Sequence, residues 1–164
     1  MLSPKSPDET GGSELLFRLH RAHEELLGAL EGLALLTRQF APDPSLLGTA
    51  RWNLSKANMH RRLVGAEILS HLLARASGAD RVELLRLQDG DADLLALWTD
   101  HVRRWSPEEI SADWEEYCGA ARAMRLGLVA RMTDERRIFH PLLRAGMSHA
   151  PWLTPSPWEA RQSA

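Results

Sequence analysis

The stretch "MHRRLVGAEILSH" at 59–71 places His60, Val64, Glu67 and His71 at steps of four, three and four. At 100° per residue, a helix gathers these four within a fan of about 60° on one face. Imidazole nitrogen and carboxylate oxygen are the donors that zinc, manganese and iron(II) accept. His60 and His71 lie about 16.5 Å apart along the axis and cannot share an ion. Glu67 and His71, four apart, make a local polar pair. His23, Asp91, His101 and Glu135 hold equivalent positions in other apolar stripes. An unpaired buried charge costs several kcal/mol, so residues of this kind pair with one another or take a cation.

The elements that must position them are helical. Apolar lines at three- and four-residue steps predict helices over about 13–39, 45–76, 80–105 and 107–145. The first line is Leu16, Leu19, His23, Leu26, Leu30 and Leu33. The second is Leu47, Ala50, Leu54, Ala57, His60, Val64, Ile68 and Leu72. The third, Leu84, Leu87, Asp91, Leu94, Trp98, His101 and Trp105, keeps its register through Gly90. The fourth is Trp114, Tyr117, Ala121, Met124, Leu128, Met132, Glu135, Phe139 and Leu142, after a restart at "SPEE" with Ser106 as cap and Pro107 in the first turn. No strand-like alternation appears. The expected fold class is all-α, an antiparallel up-down four-helix bundle. It spans 13–146, between a flexible tail at 1–12 and a Pro- and Trp-containing tail at 147–164.

Composition narrows the function classes. The 164 residues carry a formal net charge of −2, so no basic field invites nucleic acid or an anionic membrane. One cysteine, Cys118, excludes an internal disulfide and a cysteine-based zinc site. The opening residues lack the apolar run of a secretory leader, and no uncharged apolar stretch would span a bilayer. The expectation is a cytoplasmic protein. Trp98, Trp105 and Trp114 read as core. Trp152 and Trp158 in the C-terminal tail are candidates for contact with a protein partner.

"LHRAHEELLGALEGL", His60 inside the second helix, "LWTDHVRRW" and "RMTDERRIFHPLL", taken in order, resemble the hemerythrin-like (HHE cation-binding) domain over roughly 14–145. The resemblance implies a four-helix bundle around non-haem iron, linked to sensing of oxygen, nitric oxide or redox stress. It implies His23, His60 and Glu135 as metal ligands. Two positions depart from the pattern: a glutamate is replaced by Val64 and a histidine by Arg131. Valine cannot ligate, and arginine brings a positive charge toward the ion. The site is therefore expected to be degenerate. One form is a non-haem iron site, mononuclear or partial di-iron, that draws on His101 and Asp91 as well as His23, His60 and Glu135, with a small diatomic ligand. The other is a metal-free interaction or regulatory bundle whose polar seam sets helix register.

Overall fold

The structure, a computed structural model, describes residues 7–148. The C-terminal tail from 149 onward, with Trp152 and Trp158, lies outside the described residues. Five helices follow in order: α1 (Pro7–Leu36), α2 (Pro44–Leu73), α3 (Gly78–Arg104), α4 (Pro107–Ala112) and α5 (Trp114–Ser148). Among the described residues there is no strand. No described helix is long and apolar enough to cross a membrane.

Capping chemistry sets the boundaries. Asp43 accepts the Leu46 N–H at 3.0 Å and starts α2, with Pro44 where no backbone donor is needed. Ser106 accepts the Glu109 N–H at 3.2 Å and starts α4. The single helix expected over 107–145 is two helices, because Asp113 repeats this device. Its backbone leaves the helical region (φ −140°, ψ 74°), and its carboxylate accepts the Glu116 N–H at 3.0 Å. Asp113-x-x-Glu116 is a second helix-start signal seven residues after the first. At the other end, α1 begins at Pro7 rather than Ser13, so helix replaces part of the polar tail expected at 1–12. Gly78, with φ +55°, turns the chain sharply from α2 into α3.

α1 packs along both α2 and α5, and α5 also meets α3. The apolar interior falls into two clusters. One gathers aliphatic side chains with Phe139, among them Leu19, Val64, Ile68, Leu84 and Leu143. The other, around Leu26, Leu30, Leu54, Leu128 and Met132, includes Trp105 and Tyr117. α3 holds its line through Gly90, but only Leu84 and Leu87 on it are fully buried. Leu94, Trp98 and His101 are half-buried.

Candidate functional site: a buried arginine–carboxylate seam

Between the two apolar clusters lies a layer of polar side chains. His23 follows Ala22 on α1, Arg61 falls between Ala57 and Val64 on α2, and Glu135 falls between Met132 and Ile138 on α5. Glu135 has no exposed surface and Arg61 only 1%. Glu135 is saturated. Its Oε2 accepts from His23 Nε2 at 2.8 Å, and its Oε1 accepts from Arg131 Nε at 3.0 Å and from Arg61 Nη1. Arg61 also donates through Nη2 to Asp91 at 3.0 Å and through Nε to Asn58 at 3.3 Å. Asp91 lies within 3.5 Å of Arg131 Nη2 and accepts from Arg62 Nε at 3.3 Å. Arg131 finally donates to the Leu87 carbonyl, tying α5 to α3.

Two fully buried or nearly buried guanidinium charges, Arg61 and Arg131, thus face two carboxylates, Glu135 and Asp91. This is the one arrangement in which such charges are tolerated away from water: paired, and with hydrogen bonds to the remaining donors. Burial works against ionisation of Asp91. The Arg61 hydrogen bond and the charges of Arg61, Arg131 and Arg62 outweigh it and hold its carboxyl below the usual range. His23 gives its Nε2–H to the carboxylate, and its buried Nδ1 has no hydrogen-bond partner.

Two glycines face these side chains, and one of them, Gly65, is needed for the space. A Cβ on Gly65 would stand 3.3 Å from Glu135 Oε1, closer than most such contacts allow. A Cβ on Gly90 would stand 3.7 Å from Arg131 Nη1. The glycine that weakens α3 in the sequence is where Arg131 passes close to the helix.

Of the five residues expected to ligate a metal, the structure brings His23 and Glu135 into contact and places Asp91 one guanidinium away. His60 is elsewhere. Its side chain is 46% exposed, and its Nδ1 pairs with Glu25 at 2.7 Å on the surface. His101 lies in the other apolar half, with its ring 6.1 Å from that of Tyr117. Glu67 pairs with Arg18 across the helix surface at 2.7 Å, not with His71. Among the described residues, no three His, Cys, Asp or Glu side chains are grouped so as to hold a metal ion. The donor set does not fit the iron centre that the resemblance implies. Every oxygen of Glu135 is engaged, and two fixed positive charges stand where a cation would have to approach it.

Arg61 is the residue that the sequence reading missed. The signal was present: Leu47, Leu54, Arg61 and Ile68 recur at intervals of seven, and all four are buried. His60, one position away, lies at the margin of that stripe, where Glu25 and solvent reach it.

No family model, no curated protein and no solved structure matches this chain.

Proposed function

We propose that the protein is a metal-free member of the hemerythrin-like bundles, a binding or regulatory module and not an oxygen carrier or an enzyme. In this reading the four long helices form an antiparallel bundle, with α4 as a corner between the third and fourth. Arg61 and Arg131 supply the positive charge that iron would otherwise supply, and the seam sets helix register. The observation that carries it is Glu135, fully buried and hydrogen-bonded by two guanidinium groups and an imidazole. The ionisable groups of the seam are spent on one another, which leaves recognition to other parts of the molecule.

The test is elemental analysis of tag-free protein made in iron-supplemented medium without chelators, beside a Glu135→Gln variant. Less than about a tenth of an equivalent of iron in both supports the proposal; about one equivalent or more in the wild type, lost in the variant, overturns it.

A further inference from the structure

Beside the second apolar cluster, a half-open cavity of about 240 Å³ lies between α1, α2, α3 and α5. It is separate from the seam: Arg51 on its wall is ten residues from Arg61, about 15 Å along α2. Its body is apolar and aromatic, from Leu30, Leu54, Trp98, Met124 and Tyr117. Its charged side chains are Arg51 and Arg125, and no carboxylate lines it. A cavity of about 150 Å³ with apolar walls takes a benzene-sized molecule, so this one has room for a single ring with a short substituent.

Two features point to a polar end on the occupant. Arg51 gives one N–H to the Trp105 carbonyl at 2.7 Å, which fixes its guanidinium beside the Tyr117 ring, 5.9 Å from the ring centre. Four of its five N–H donors remain for other partners. His101, also on the wall, is pushed toward its neutral form by burial and by the Arg51 charge, so it offers an uncharged donor and acceptor at neutral pH.

We infer that this cavity is a binding site for a small carboxylic acid with an aromatic ring, its acid group met by Arg51 and Arg125 and its ring by the Trp98–Tyr117–Leu54 walls. The inference is independent of the metal-free reading of the seam, since no seam residue lines the cavity. An excess of two cations over no anions selects against a cationic ligand of the same shape, by repulsion as much as by lost attraction.

Isothermal titration calorimetry of the full chain with three probes of one shape tests this: phenylacetate, 2-phenylethanol and 2-phenylethylamine. Phenylacetate is expected to bind one to one in the millimolar range or tighter, at least about tenfold better than the amine. Arg51→Met should weaken it at least about tenfold. Gly48 also lines the cavity, and a Cβ there meets nothing within 4 Å. Gly48→Leu therefore narrows the site while favouring the helix, and should abolish binding with no loss of the urea midpoint. The inference is overturned if phenylacetate gives no binding up to about 10 mM, if acid and amine bind alike, or if Arg51→Met and Gly48→Leu leave its affinity unchanged.

Discussion

The layer around Glu135 and the cavity around Tyr117 are both polar intrusions into a helical interior, and they are solved in opposite ways. At Glu135 each buried charge has its counter-charge and its hydrogen bonds inside the chain. In the cleft beside Tyr117, Arg51 keeps four N–H donors unengaged next to open volume. Each region also holds one buried polar atom without a hydrogen-bond partner, His23 Nδ1 in the first and the Tyr117 hydroxyl in the second, so what separates them is paired charge on one side and spare guanidinium donors beside space on the other. The first region should therefore be costly to mutate and indifferent to small molecules, and the second the reverse.

The largest effect should come from Glu135→Gln, which leaves two guanidinium groups short of a carboxylate in the interior. A loss of about 3–5 kcal/mol in urea unfolding is expected, against roughly zero to a slight gain for Tyr117→Phe. Equal effects at the two positions would erase the contrast. Next, a double-mutant cycle on Arg61 and Glu135 should give a coupling of more than about 1 kcal/mol. The same cycle on the half-exposed pair Arg18 and Glu67 should stay within about 0.2–1 kcal/mol, because water screens it.

Acid sharpens the comparison further. Asp91 is held below its ordinary range in the folded chain, so the unfolded chain binds the proton first. Its contribution is complete above the unfolded value, about 3.9, and is lost as pH falls below that toward the folded value. Unfolding free energy measured across this window should fall less steeply in Asp91→Asn than in the wild type. The smallest effect concerns glycine. Gly28→Ala on α1, where a Cβ meets nothing, should stabilise by about 0.5–1 kcal/mol. Gly65→Ala should lose that gain against Glu135, whose three hydrogen bonds keep it from moving aside.

The helices themselves were largely legible. The seven-residue line on α3 carried one helix through Gly90, and the "SPEE" signal marked a real helix start, since caps and prolines act on their own neighbours. The break at Asp113 was missed because the apolar line from Trp114 onward runs without interruption, while the break is made by one carboxylate turning to a backbone N–H. The candidate site was legible only in part. His23, Glu135 and Asp91 stood out as polar residues on inward stripes, and they do meet or nearly meet. Arg61 does not stand out beside His60, because a histidine on a stripe suggests a ligand whereas a long cationic side chain suggests solvent.

Periodicity, capping residues and composition determined by themselves an all-helical chain, the approximate extent of its long helices, and His23 and Glu135 as polar positions facing inward. Those are local properties, set by spacing along one chain. The tertiary structure decided which of two adjacent residues, His60 or Arg61, enters the interior, because that depends on whether carboxylates from α3 and α5 wait there to neutralise a charge. It also decided that Tyr117, one more aromatic on an apolar line, ends as a buried hydroxyl beside an open cavity. Whether a polar atom finds its partner depends on packing between helices, and no spacing within a single helix contains it.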